Sequence, residues 1–224
     1  MSDRPRGRAL LLDLDGTLLD TARDMGAALN ALRHEEGLEA VPFEAIRPQV
    51  SHGGAALVRL GFASASEEEH ERLRRRFLDI YRTRLAVHTA PFEGFEGVLA
   101  TLARAHVPVG VVTNKPGWLT APLLAALGLD RRLACVVAGD TLPERKPHPA
   151  PLLHAAKLAG REPADCVYAG DAERDIVAGR RAGMQTVAVR FGYLAPGEDP
   201  AAWQPDGIAE SPVDLLDWID GVAR

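Results

Sequence analysis

The stretch Ala9-Leu10-Leu11-Leu12-Asp13-Leu14-Asp15-Gly16-Thr17 sets the reading of the whole chain. Its four leading apolar residues are too few for a helix. They suit a strand buried on both faces, as in a parallel sheet covered by helices. The run stops abruptly at Asp13. Asp13 and Asp15 are two residues apart, so in an extended segment their side chains lie on one side. Gly16 lets the chain turn sharply directly after them.

Beyond this strand the texture is helical. Thr21 is placed to cap a helix that runs through Leu29 and Leu32 and stops at Gly37. Ser66 with Glu69 forms a capping box, followed by Leu73, Phe77, Ile80 and Tyr81 at three- and four-residue spacing. No strand-like run occurs between Thr21 and Val87. After Pro91 strands and helices alternate. Strands are expected at Val107–Val112, Ala134–Ala138, Cys166–Ala169 and Thr186–Val189, with helices over Leu119–Leu127, from Pro149 to Gly160, and over Ile176–Ala182. That alternation means βαβ units and a parallel sheet. The expected fold is therefore α/β, a Rossmann-type parallel-sheet core formed by residues 1–16 and 89–224, with an all-helical insert over residues 17–88. Residues Pro196 to Pro205 read as a loop.

Four of these strands lead into polar chemistry: Asp13-Leu14-Asp15, Thr113-Asn114-Lys115, Arg145-Lys146-Pro147, and Gly170-Asp171 with Asp175. In open α/β sheets ligands bind beyond the carboxyl ends of the strands, so the four should converge. Asp13, Asp15, Asp171 and Asp175 would crowd like charges, which repel unless a cation or protons intervene. Hard carboxylate oxygens suit Mg²⁺. A carboxylate cluster, a hard metal, a lysine and the Thr113–Asn114 hydroxyl/amide pair describe phosphoryl transfer. In such a site one aspartate can attack phosphorus while its neighbour exchanges a proton with the leaving oxygen.

Composition excludes several other classes. The 224 residues are 46% hydrophobic and 25% charged, ordinary globular usage. A net charge of −5 gives no basic footprint for nucleic acid. Cys135 and Cys166 each lie in an apolar run and fit neither a disulfide framework nor a zinc site. The basic stretch Met1–Arg8 is followed by too few apolar residues for a signal peptide, and no transmembrane segment is legible, so the expected location is cytoplasmic. Oligomeric state has no signature. Lysine occurs at Lys115, Lys146 and Lys157 alone. Lys115 is expected to point away from the site. Arg74-Arg75-Arg76 reads as a solvated helix face, Trp118 as packing, and His88, His148 and His154 as structural.

At these residues the sequence resembles the haloacid dehalogenase superfamily of phosphatases, in the phosphoglycolate-phosphatase-like branch with a helical cap. Asp13-Leu14-Asp15-Gly16-Thr17-Leu18, Thr113, Lys146 and Gly170-Asp171 with Asp175 resemble its four motifs in order. The resemblance implies Asp13 as nucleophile and Mg²⁺ ligand. It implies Asp15 as general acid/base that also lends its backbone carbonyl to the metal, and Asp171 as metal ligand. Thr113, Asn114 and Lys146 would bind phosphate, and Asp175 would support the metal shell or Lys146. The insert matches the cap position. Arg47-Pro48-Gln49-Val50-Ser51-His52-Gly53-Gly54 is similar to the cap loop that reads the leaving group, which makes Arg47, Ser51, His52 and Gly53 substrate candidates. Phe191-Gly192-Tyr193 and Ala86-Val87-His88-Thr89 are similar to segments of phosphoglycolate phosphatases and also of N-acetylmuramic acid 6-phosphate phosphatases. The implied substrate is a small phosphate ester, with no nucleic-acid or membrane partner.

Other chemistries on the same scaffold weigh less. Asp15 argues against a haloalkanoate dehalogenase, which the resemblance expects to lack that acid. A Schiff-base phosphonate hydrolase needs a cap lysine, and none precedes Lys115. A sugar phosphomutase keeps the Asp pair and stays open. A phospho-acceptor receiver module is opposed by the insert and the paired acids.

Overall fold

A computed structural model describes residues 8–219. The basic residues before Arg8, and the outer ends of the expected core at 1 and 224, lie outside the described residues. The order is β1 (Ala9–Leu12), β2 (Leu19–Asp20), α1 (Ala22–Glu35), α2 (Phe43–Ile46), a 3-10 turn (Arg47–His52), α3 (Gly53–Gly61), α4 (Glu67–Arg82) and β3 (Ala90–Pro91). Then follow α5 (Phe95–Arg104), β4 (Val109–Val112), α6 (Gly117–Ala126), β5 (Cys135–Val137), α7 (Ala150–Leu158), β6 (Cys166–Gly170), α8 (Glu173–Arg181), β7 (Gln185–Val189) and β8 (Gly207–Ala209).

Six strands form one parallel sheet in the order β5-β4-β1-β6-β7-β8. Strands β1, β4 and β6 are buried at every residue, as their continuous apolar sequence requires. Alternation splits them between two faces. Leu10, Leu12 and Val111 join one core cluster, while Ala9, Leu11, Val112 and Tyr168 join another. The first cluster continues into Leu29, Leu57, Phe77 and Tyr81 of α1, α3 and α4, so one apolar mass joins sheet face and inserted helices. Each such fully buried leucine or phenylalanine contributes about 1.5–3 kcal/mol.

Register explains why distant residues meet. Leu12 is level with Val111 on one side and with Ala169 on the other. Asp13, Thr113 and Asp171 thus emerge on the same rim. The chain steps from β1 to β4 on one flank and returns to β6 on the other, so β1 lies at the topological switch point.

Three features differ from the sequence expectation. The strand expected from Val107 begins at Val109, because Pro108 has no N–H for the ladder and only accepts from Leu10 N at 3.0 Å. A sixth strand, β8, ends the sheet. It is short and its Gly207 lies against the Trp218 ring, so nothing in its composition announces it. Finally, β2 and β3 pair antiparallel at the two ends of the helical insert, a ribbon too short to show a period. The Ser66–Glu69 capping box is present. Among the described residues no helix is long and apolar enough to cross a membrane.

Candidate active site

Asp13 follows β1 directly, and its backbone N–H donates to Ala169 O at 2.9 Å, tying it to the neighbouring strand. Tight turns follow: Leu18 N–H donates to Asp13 O and Leu19 N–H to Leu14 O. Gly16 is required twice over. Its φ is +84°, and a Cβ there would overlap the Asp171 carboxylate and the Tyr193 ring.

Lys146 is the hub. Its Nζ lies 2.7 Å from Asp13 Oδ1 and 2.7 Å from Asp175 Oδ1. It also donates to Val112 O at 2.9 Å and to Tyr168 OH at 2.8 Å. Its side chain is only 1% exposed. Asn114 fixes its backbone at both ends: Asn114 Nδ2 donates to Lys146 O at 3.0 Å and Lys146 N–H donates to Asn114 Oδ1 at 3.1 Å. The amide expected to bind phosphate thus also places the lysine, with one N–H and one lone pair on its oxygen left over. Thr113 Oγ1 accepts from Lys115 N–H at 3.1 Å, which leaves its hydroxyl hydrogen to donate elsewhere.

Among the described residues, Asp13, Asp171 and Asp175 bring one carboxylate oxygen each within 4.8 Å of the others. Burial, first, and then the neighbouring acids raise Asp171 to about 7. Burial likewise raises Asp13 to about 6, against the lowering effect of Lys146. Three acids face one ammonium. Asp171 Oδ1 is buried with no hydrogen-bond partner. Such an atom carries a desolvation penalty unless something meets it. A hard divalent cation fits this donor set of converging carboxylate oxygens. The Asp15 carboxylate is not in the cluster. It turns toward Thr21 Oγ1 at 2.7 Å and Lys115 Nζ at 2.8 Å, so any part it takes at the metal falls to its backbone carbonyl.

Two expectations are corrected here. Lys115 does not point away: its side chain is 4% exposed and ion-paired to Asp15. Thr21 precedes α1, but its hydroxyl serves Asp15 rather than the helix end. The Tyr193 hydroxyl takes over the cap, accepting from Thr21 N–H at 2.6 Å and Ala22 N–H at 3.0 Å.

The inserted helices supply the other wall. Ser51 Oγ donates to Asp171 Oδ2 at 2.6 Å, joining Tyr193 N–H on the same oxygen at 2.9 Å. Arg174 of α8 donates to Ser51 O at 2.6 Å and meets His52 Nδ1 at 3.0 Å. His52 and Gly53 line the central cavity. Arg47 does not. Its guanidinium lies 5.0 Å from the Tyr193 ring centroid and reaches Phe191 O at 3.4 Å. The cavity measures about 460 Å³, within the usual ~300–1,000 Å³ of ligand pockets. Lys115, Lys146, Arg74, Arg145 and Arg174 border it beside Asp13 and Asp15. A chain of net charge −5 thus presents a cation-lined cavity, suited to an anionic ligand. Arg74 pairs with Glu71 on the exposed helix face as Arg75 and Arg76 pair with Glu71 and Glu35, and it also borders this lining.

Tyr168, Arg174, Arg145 and Tyr81 were not singled out from the sequence. Tyr168 and Tyr81 read there as apolar positions of a strand and a helix. The hydroxyl each carries, which a buried tyrosine must satisfy, was the available signal.

A family model described as haloacid dehalogenase-like hydrolase matches residues 10–189. A protein of Xanthomonas campestris pv. campestris named phosphoglycolate phosphatase is 45% identical over 208 residues, 93% of this chain and 94% of that one. A protein of Pseudomonas putida named N-acetylmuramic acid 6-phosphate phosphatase is 42% identical over 216 residues, 96% of this chain and 97% of that one. The crystal structure of a predicted phosphoglycolate phosphatase from Haemophilus somnus 129pt superposes with a TM-score of 0.84 at 26% identity, covering 94% of this chain and 97% of that one.

Proposed function

The chain belongs to the haloacid dehalogenase-like hydrolases, and from that premise we propose that it is a Mg²⁺-dependent phosphomonoesterase of small cytoplasmic metabolites, working through a phosphorylated Asp13. One observation carries the reading: a buried lysine wedged between Asp13 and Asp175, beside a buried Asp171 oxygen with no hydrogen-bond partner among the described residues. Asp13, Asp171 and the Asp15 backbone carbonyl would hold the cation, with Asp175 supporting Lys146 and the cluster. Bound there, Mg²⁺ supplies positive charge against the carboxylates and the phosphoryl oxygens.

The chain's own residues do the rest. Lys146 and the Thr113 hydroxyl bind the phosphoryl oxygens, and Asn114 keeps Lys146 in place. An Asp13 oxygen attacks phosphorus as the bond to the leaving oxygen breaks, and Asp15 gives that oxygen its proton. Asp15 then takes a proton from water as the water attacks phosphorus. The Asp13–phosphorus bond breaks and inorganic phosphate is released. The inserted helices close the cavity against bulk water.

Phosphoglycolate is the first substrate to test, given the 45% identical relative that bears that name. The cavity supports a second reading. At about 460 Å³ it has room for far more than a two-carbon ester, and its cationic border suits an acidic sugar phosphate such as N-acetylmuramic acid 6-phosphate. Phosphate release by the purified protein with Mg²⁺, and with EDTA, against 2-phosphoglycolate, N-acetylmuramic acid 6-phosphate and common sugar phosphates tests both. Metal-dependent release of free phosphate is expected. Isomerised sugar phosphate without release would make the protein a phosphomutase.

A further inference from the structure

Lys115 is a buried cation that the reaction as described does not use. Its Nζ lies 2.8 Å from Asp15 Oδ1 and 3.2 Å from Asp15 Oδ2, and it donates to the Tyr81 hydroxyl at 2.9 Å. Asp15 comes from the β1 rim and Lys115 from the segment after β4, whereas Tyr81 comes from α4 of the insert. The lysine therefore spans the line along which insert and sheet meet. Its backbone is held as well: Lys115 N–H donates to Thr113 Oγ1 at 3.1 Å, and its carbonyl accepts from Gly139 N–H at 2.8 Å.

Asp15 is thereby fixed asymmetrically. Oδ1 accepts from both Thr21 Oγ1 at 2.7 Å and Lys115 at 2.8 Å. Among the described residues Oδ2 has only the longer contact with Lys115, which leaves it for the leaving group. Asp15 and Lys115 both border the central cavity, as does Tyr81.

We propose that Lys115 is a positioning residue: its ammonium orients Asp15 toward the leaving oxygen and ties that orientation to the seating of α4 through the Tyr81 hydroxyl. The inference rests on the reading of Asp15 as proton donor and adds the part of the chain that aims it. Burial pushes the Tyr81 hydroxyl up to about 12, so it keeps its proton and remains a neutral partner for the ammonium. Misaiming a proton donor by a fraction of its hydrogen-bond length forfeits much of a general-acid contribution of ~10²–10⁴-fold.

The test exploits leaving groups. An alkoxide needs a proton to depart, whereas p-nitrophenolate departs without one. The ratio kcat/KM reports the steps through phosphoryl transfer. Lys115→Met, which keeps an apolar side chain in place, is expected to lower kcat/KM by roughly 10²-fold on an alkyl phosphate monoester and by less than ~5-fold on p-nitrophenyl phosphate. Tyr81→Phe should show the same selectivity with a smaller loss, and the double variant should be no worse than Lys115→Met, because the two act through one contact. Equal losses on the two esters, or no loss, would overturn the proposal. If Lys115→Met does not fold, Tyr81→Phe decides it by the same criterion. Wild-type turnover of both esters with Mg²⁺ is the control. Without it the phosphomonoesterase reading itself fails; with it, an unselective variant removes only the role of Lys115.

Discussion

Lys146 and Lys115 are buried at the same rim, and their partners differ. Among the described residues the Lys146 ammonium is met from the sheet side, by Asp13, Asp175, Val112 O and Tyr168 OH. Lys115 is met from both sides, by Asp15 below and Tyr81 of α4 above. In the proposed reaction, the half of the site that handles the phosphoryl group is set mainly by strand ends, the insert reaching it through the Ser51 hydroxyl on Asp171. The half that handles the leaving group is completed by the inserted helices. On that proposal, chemistry common to every phosphate ester is centred on the strand ends, and chemistry that varies with the ester is centred where α4 meets Lys115.

That division predicts a graded series. Asp13→Asn keeps the shape of the site and removes the attacking oxygen, so turnover of any phosphate ester should fall by at least ~10⁴-fold. Its melting temperature should hold or rise, because one charge leaves a crowded acidic cluster. Wild-type turnover by this variant would end the division at its first step. Lys146→Met strands Asp13 and Asp175 without their cation and should cost about 3–5 kcal/mol in urea unfolding. Lys115→Met should cost less, since Asp15 keeps Thr21 and its side chain is 15% exposed to the cavity. Equal losses would mean that the two lysines do not differ as described.

Protonation sharpens the same contrast. Asp13 and Asp171, at about 6 and about 7, lie above the ordinary carboxylate value of 3.8. Such groups hold protons more tightly folded than unfolded. Their stabilising effect is complete below about pH 4 and is lost as pH rises through about 7. In the proposed site Mg²⁺ would displace those protons, so the rise in melting temperature on adding it should be small at pH 5 and several degrees larger at pH 8. Taking the difference with and without Mg²⁺ cancels the exposed carboxylates common to both. A Mg²⁺ effect that shrinks with pH would contradict the cluster's role. Ser51→Ala is the mildest change. Asp171 loses one donor but keeps Tyr193 N–H, so kcat/KM should fall by about tenfold, the low end of what one hydrogen bond to a charged group contributes.

The half built on strand ends was also the legible half. Asp13, Thr113 and Asp171 each follow an apolar run at once, so strand ends, and with them the rim, could be read from local pattern. Lys115 could not be aimed that way. It stands two residues past Thr113 as Asp15 does past Asp13, but the chain turns at Pro116, and a loop's direction leaves no period in the sequence. Thr21 read as a helix cap because capping is local, whereas the Asp15 and Tyr193 contacts that override it depend on tertiary placement. Arg47 illustrates the same limit. Its place in the cap loop suggested a reader of substrate, and its cation–π packing on Tyr193 was not foreseen.

The central claim is that Asp13 itself carries the phosphoryl group. The direct measurement is mass spectrometry of protein acid-quenched during turnover with Mg²⁺, using Asp15→Asn to slow release. One phosphoryl group on the peptide containing Asp13, absent from Asp13→Asn and absent with EDTA, is the predicted result. A phosphoryl group on another peptide, or none while phosphate is still being released, would contradict the account.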